Sequence, residues 1–452
     1  MSFVQFLQLC DSLLWSRFLI YLLIAVGLYL TVRLKGMQLR YLPMALKLVF
    51  SRHDDKAEGD ISQFQSLMMA LAATIGIGSI AGMATAVIGG GYGAIFWMWV
   101  VAFIGMVTKY AEAILAVKYR SVDARGQMAG GPMYYIQRGL KSRFLGASFA
   151  VFGALAAFGG GNLIQSHSIA DALFDLFAFP HIWTGIILAV LVTMIVIGGI
   201  KGLGRVNALL VPVMALIYIA GGLLILLLRI EYIPGVFRDI FYGAFSQQSI
   251  AGGLIGGNVL MAMQMGVARG ISSNEAGLGS SPIASAAAKT DVPGRQALIS
   301  MSGVFLSSFV ICTITVLVLG VSGVVGQRAA SGALLNGAQL VMHAFGSVLP
   351  GSKIIVVIGL LLFGFSTIIG WSYYGEKCME FLFGLRILAF YRALFIIVVF
   401  LGAIGSIDIV WPLADIMNGL MALPNLLGLL LMSGVIISES QIFFKQLELE
   451  KL

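Results

Sequence analysis

Apolar residues in this chain run in blocks long enough to cross a bilayer, separated by short polar connections. A helix needs about 20 mostly apolar residues to span about 30 Å of hydrocarbon. Eleven segments meet or approach that length: 13–32, 62–90, 93–119, 144–170, 182–199, 205–229, 250–289, 294–323, 352–376, 389–405 and 411–436. The segments 182–199 and 389–405 are short, and 250–289 is too long and too glycine-rich for one straight helix. Asp11 precedes the first apolar core, with no basic stretch before it and no small-residue cleavage site after it. The pattern therefore predicts a retained first helix rather than a signal peptide.

Composition agrees with the pattern. Of 452 residues, 59% are hydrophobic and only 11% charged, whereas soluble domains carry about 25% charged residues. That leaves too little charge to cover soluble domains and far too much apolar surface for disorder. Cys10, Cys312 and Cys378 form neither a disulfide framework nor a metal cluster. Basic residues sort by side: 21 of the 28 lysines and arginines fall in alternate connections beginning with 33–56 and 118–143. Such a bias marks the cytoplasmic face and predicts an external N-terminus, a cytoplasmic C-terminus and an odd number of spans. The net charge of +8 then reflects membrane orientation, and its scatter over every basic loop argues against nucleic-acid binding.

Several chemistries are absent. No Gly-x-x-x-x-Gly-Lys-Ser/Thr phosphate loop and no His-Glu-x-x-His zinc pair occurs, and His53, His167, His181 and His343 are scattered. The run Gly76–Ala81 matches a dinucleotide fingerprint in form but sits inside a hydrophobic span without the strand such a site needs. Gly270-Ile271-Ser272-Ser273 is a weak match to an intramembrane serine turn, and no histidine lies on an obvious partner helix.

Glycine carries more information. One cluster, Thr74–Gly82, interrupts the second segment; another, Gly270–Pro282, interrupts the seventh. Each contains Gly-hydrophobic-Gly-Ser, at 76–79 and 277–280, and each opens a unit of five spans. An odd number of spans per unit inverts the second unit relative to the first. Paired interrupted helices at matching places in two halves point to the binding site of a secondary transporter. Unwinding frees N–H and C=O groups that cost several kcal/mol each in hydrocarbon unless satisfied. A substrate carboxylate can take the amides at a half-helix N-terminus, and an ammonium or Na⁺ can take the carbonyls. Charges within spans are few: Glu112, Arg269 and Glu275 stand out, and such charges are functional by default.

Three motifs resemble those of the alanine or glycine:cation symporter family: Ser273–Ser280 (SNEAGLGS), Gly130–Ile136 (GGPMYYI) and Gly93–Val100 (GAIFWMWV). The resemblance runs from about Phe64 to the last span. It departs at the first break, where the family pattern Gly-Thr-Gly-Asn is replaced by Gly76-Ile77-Gly78-Ser79. It implies an all-α polytopic membrane protein with a LeuT-like (APC superfamily) fold, in which ten helices form two inverted five-helix repeats behind one N-terminal helix. The units are then 1–60 (first helix and basic loop), 61–246 (first repeat) and 247–452 (second repeat and tail). In such a fold, amides near Gly76, Ile77 and Gly78 hold the substrate carboxylate, and the Thr74 carbonyl lies near its ammonium. Gln165, three residues after Asn162 on the same face, contacts substrate. Asn274 orients either end, and Trp371 limits side-chain size. Sodium falls to Ser366 and Thr367 with carbonyls near Ala72 and Ile75.

The resulting expectation is a sodium-coupled symporter, not an enzyme, importing alanine or glycine by alternating access. It sits in the bacterial cytoplasmic (inner) membrane, with Na⁺ as coupling ion and no organic cofactor. A short external lid helix is expected at Leu334–Phe345. Competing readings are proton coupling through Glu275 or Glu112, an intramembrane hydrolase using Ser272, and a passive channel.

Overall fold

The computed structural model describes residues 3–51, 57–245, 259–290, 292–329, 332–405 and 409–449. Arg52, His53, Lys56 and Lys451, the first residues of the segment 250–289 and the boundary at 246–247 lie outside the described residues.

The described chain is almost entirely helical. The first long apolar run forms α1 (Phe3–Arg33), followed by α2 (Met37–Phe50). The first interrupted segment gives α3 (Gln63–Thr74) and α4 (Ala81–Gly90), and then comes α5 (Gly93–Lys118). A capping box starts α3: the Ser62 hydroxyl accepts from the Gln65 amide, and the Gln65 side chain accepts from the Ser62 amide. A two-stranded hairpin follows, β1 (Ser121–Val122) against β2 (Met128–Ala129), with Ser121 opposite Ala129. Next are α6 (Pro132–Gly139), α7 (Arg143–Phe177), α8 (His181–Val196), α9 (Gly199–Leu228) and α10 (Ile233–Phe245). The second half holds α11 (Val259–Asn274), α12 (Pro282–Ala286), α13 (Pro293–Ser322) and α14 (Gly337–Val348). It ends with α15 (Lys353–Phe383), α16 (Leu388–Ile404), α17 (Val410–Leu431) and α18 (Ser433–Leu449).

Eight of the described helices are long and apolar enough to cross a membrane. The expected eleven would require adding the two interrupted segments and the shorter α8, and length and composition alone do not select them. The expected lid corresponds to α14, displaced a few residues toward the C-terminus because Asn336 caps it by accepting from the Gly337 amide.

Burial separates centre from periphery. Helix α5 is almost wholly buried, with α11 and α13 packed against it. Helices α8, α9 and α16 instead present Ile187, Val190, Met194, Leu209, Leu216, Phe390 and Ile397 outward, as lipid-facing helices must. At the end of α15 near the basic loops, buried Lys377 meets Asp123 at 3.4 Å and Glu380 at 3.0 Å. Arg125 reaches Glu380 at 3.3 Å, and Arg392 holds Glu376 through paired bonds of 2.8 and 2.7 Å. This network joins the β-hairpin to α15 and α16. Asp123 sits below the usual carboxylate range: burial works against it, but the Gln127 and Arg125 amides and Lys377 outweigh that effect.

Candidate functional site

Both glycine clusters break their helices, in different ways. At the first, α3 stops at Thr74, Gly76 turns extended (φ −104°, ψ −163°) and a single 3₁₀ turn, Ile77–Ser79, leads into α4. The Ile77 amide points at the Gln165 side chain, 3.5 Å from Oε1. Position 76 must be glycine, since a Cβ there would lie 2.8 Å from the Thr367 hydroxyl and 3.4 Å from Gln165 Oε1. At the second break, Glu275, Gly277 and Gly279 all take positive φ (53°, 88° and 85°). Left-handed backbone in alternate residues suits glycine and strains glutamate.

A central cavity of about 360 Å³ opens on the first break. Its wall includes Thr74, Gly76, Ile77 and Gly78 from that break, Gln165 from α7, and Thr367 and Trp371 from α15. Seven of the residues expected at the site therefore meet around one space. Gln165 is itself anchored, its Nε2 donating to the Gly160 carbonyl at 3.0 Å within a π-turn of α7 (Gly159–Leu163). Such turns recur at functional sites because they redirect one side chain without ending the helix. Trp371 stands edge-on to Tyr374 (5.6 Å between centroids) and fits only because position 161 is glycine, where a Cβ would lie 2.4 Å from its ring.

Beside the cavity is a cluster of oxygens. Thr367 Oγ1 lies 2.9 Å from the Ala72 carbonyl and 2.8 Å from that of Phe363. Ser366 Oγ lies 3.5 Å and 3.0 Å from the same two carbonyls. Four neutral oxygens from α3 and α15 so converge at the first break, the donor chemistry that a hard monovalent cation takes. Ile75 is buried at the end of α3, its amide still bonded to the Leu71 carbonyl. The Phe363 carbonyl went unread in the sequence, although Ser and Thr three and four positions later on one helix face were its signal.

Of the residues expected to bind substrate, Asn274 is not brought to the cavity. Asn274 turns away from it: its Nδ2 donates to Ser308 at 3.1 Å and its Oδ1 accepts from the Ala276 amide at 3.0 Å. Asn162 is buried, with Nδ2 donating to the Phe395 carbonyl at 2.9 Å. The second break is instead held by protein groups. Lys109 Nζ donates to the Asn274 carbonyl at 2.9 Å, and Glu112 Oε1 accepts from the Gly279 amide at 3.1 Å. Asn425 Nδ2 bridges Glu112 (2.7 Å) and the Gly277 carbonyl (2.9 Å), and Tyr135 donates to Asn425.

Residues absent from the sequence-based site also line the cavity: Thr85 and Gly337 (at the start of α14), and Trp411, Asp415 and Asn418 from the first turns of α17. Asp415 had a readable signal, an aspartate inside an apolar span. Arg269, Ser272 and Glu275 complete the wall from α11 and the second break, with Glu275 accepting from the Ser280 hydroxyl.

A bundle with two mid-span interruptions around a polar cavity and a neutral oxygen cluster is a secondary transporter of the LeuT-like fold. Solved structures agree on the fold. A mutant of the Eremococcus coleocola manganese transporter aligns with TM-score 0.54 and 17% identity over 82% of this chain and 78% of its own. MhsT in complex with L-phenylalanine aligns with TM-score 0.59 and 14% identity over 85% and 93%. Sequence gives the family: residues 1–452 match the sodium:alanine symporter family, and the chain belongs to it. The sodium/alanine symporter AgcS of Methanococcus maripaludis is 52% identical over 98% of each chain. The probable sodium/glutamine symporter GlnT of Bacillus subtilis is 37% identical over 97% of this chain and 90% of its own. The protein is thus a sodium symporter for amino acids, a transporter rather than an enzyme.

Proposed function

We propose that this symporter carries small neutral amino acids, alanine and glycine foremost, inward with Na⁺ by alternating access. The observation that supports it most is the convergence of Gly76, Ile77, Gln165, Thr367 and Trp371 on one cavity beside the four-oxygen cluster. The amides of the first break take the substrate carboxylate and the Thr74 carbonyl its ammonium. Gln165 holds the amides open in the meantime, and Trp371 restricts the side chain. Ser366, Thr367 and the carbonyls of Ala72, Phe363 and Ile75 bind Na⁺, which ties occupancy of the ion site to the geometry of the break. Asn274 acts on the site by fixing the second break rather than by touching substrate.

The repeats run 61–246 and 247–452 behind the N-terminal unit 1–60, in the cytoplasmic (inner) membrane with the N-terminus outside and the C-terminus inside. One positive charge entering across 100 mV supplies about 2.3 kcal/mol. At about 1.4 kcal/mol per tenfold that supports accumulation on the order of 50-fold, before any sodium gradient is counted. Proton coupling is a second reading, favoured by the Glu275 carboxylate in the cavity wall. Radiolabelled alanine and glycine uptake into proteoliposomes, with Na⁺ exchanged for K⁺ at fixed pH, separates the two. Uptake that collapses in K⁺ is the expected result; uptake indifferent to the exchange but lost with the pH gradient supports the second reading.

A further inference from the structure

Each break leaves the C-terminal end of a half-helix in the core of the bundle, α3 at Thr74 and α11 at Asn274. The last carbonyls of a helix have no amide partner and carry the negative end of its dipole, so both ends favour a cation. At α3 the oxygens are left for an ion: the Ala72 carbonyl joins Ser366 and Thr367 beside the cavity. At α11 the protein supplies the cation itself. Lys109 of α5 is 2% exposed, and its Nζ donates to the Asn274 carbonyl at 2.9 Å.

The surroundings of that ammonium fit the role. Glu275, next after Asn274, keeps a left-handed backbone where Gly277 and Gly279 use glycine, a strain of about 1–3 kcal/mol that marks a side chain the break requires. Its carboxylate lies within electrostatic reach of Lys109, as does that of Glu112 one turn along α5. Glu112 Oε1 is taken by the Gly279 amide and Asn425, whereas Oε2 is buried without a hydrogen-bond partner. The space beside Thr108, Asn274 and Ala276 is about 10 Å³, no more than a single water needs. A mobile ion has no room there. A lysine at membrane depth costs about 2.5–3.5 kcal/mol on insertion scales and is retained where its charge is used.

We propose that Lys109 is a tethered cation: its ammonium takes at the second break the place that a bound ion takes at the first, so each cycle moves one Na⁺ with one amino acid. Lys109 is a positioning residue in this scheme, acting through the Asn274 carbonyl and the Glu275 carboxylate rather than on substrate. The inference rests on sodium coupling at the first break, argued above, and extends it to the stoichiometry. One Na⁺ with a net-neutral zwitterion carries one positive charge inward per turnover.

The test is the flux ratio of radiolabelled Na⁺ to radiolabelled alanine in proteoliposomes of the full-length protein, with Na⁺ bound per chain measured by equilibrium dialysis. The wild type is expected to carry and to bind one Na⁺ per alanine, and Lys109→Arg to keep that ratio. Lys109→Ala removes the ammonium and opens its volume, so bound Na⁺ is expected to rise from one to two per chain even where transport is lost. Lys109→Met fills the volume without the charge and is expected to lose uptake while still eluting as folded protein in size-exclusion chromatography. A wild-type ratio of two, a folded Lys109→Ala that still binds one Na⁺, or Lys109→Met with wild-type uptake overturns the tethered cation. Where Lys109→Ala does not fold, the ratios of the wild type and Lys109→Arg decide. Uptake that requires Na⁺ but carries two per alanine sinks only the tethered cation, whereas uptake indifferent to replacing Na⁺ by K⁺ sinks the sodium reading with it.

Discussion

The two breaks share a sequence signature and serve opposite ends. At the first, the freed backbone opens on the cavity, and its nearest partners are the adjustable side chains Gln165 and Thr367. At the second, Lys109 and Glu112 from α5 and Asn425 from α17 occupy the freed carbonyls and amides. An unsatisfied backbone group in hydrocarbon costs several kcal/mol, so a break must be filled either by the protein or by what the protein binds. The first break leaves room for ligand, and the second is closed by the fold. Glycine patterns alone do not distinguish the two; the polarity of the neighbouring helix does.

That contrast can be broken in graded steps. Gly76→Val drives a side chain into Thr367 and Gln165 and is expected to reduce sodium-driven uptake by about 100-fold or more, ~2.7 kcal/mol, with folding intact by size-exclusion chromatography. Normal transport in that variant would mean the first break is not the binding element. Asn425→Leu removes the donor from Glu112 and from the Gly277 carbonyl, at about 1–3 kcal/mol for the groups left unpaired. It should lower the melting temperature in detergent while the sodium dependence of the surviving protein stays put. A shifted sodium dependence with unchanged melting would reverse the roles of the two breaks.

Thr367→Ala takes one oxygen from the cluster and should raise the sodium concentration for half-maximal uptake about tenfold, ~1.4 kcal/mol, leaving thermal stability near that of the wild type. The smallest effect lies away from both breaks, at the network around Lys377. The Asp123 carboxyl is held below its ordinary value. Its stabilising contribution is therefore present above the normal aspartate range near 4 and lost as pH falls through the lowered folded value. The melting difference between wild type and Asp123→Asn should shrink along that descent; a difference that grows at acid pH would contradict the sign.

Much of the site was legible because backbone chemistry leaves a strong trace. Gly76 and Gly78 in an apolar span announce an interruption through residue type alone, whereas Ser366 and Thr367 came from the family resemblance. Asn274 was harder. It lies in the second break, yet its amide turns to Ser308, a partner 34 positions away that no local spacing reveals. Asp415 and Asn418 were overlooked for a related reason. Asp415 carried the signal of a charge in an apolar span, but nothing local placed either residue on a cavity shared with α11.

Chain order and residue type by themselves determined the membrane class, the two interruptions and the family, because hydrophobic length, unpaired charge and glycine conformation are local properties that water and lipid judge one segment at a time. Which interruption opens on the cavity, and which polar residues from distant helices line it, were decided only by tertiary packing. Those depend on hydrogen bonds and charge neighbours separated by hundreds of residues, and a satisfied buried group differs from an available one only in what lies within about 3 Å of it.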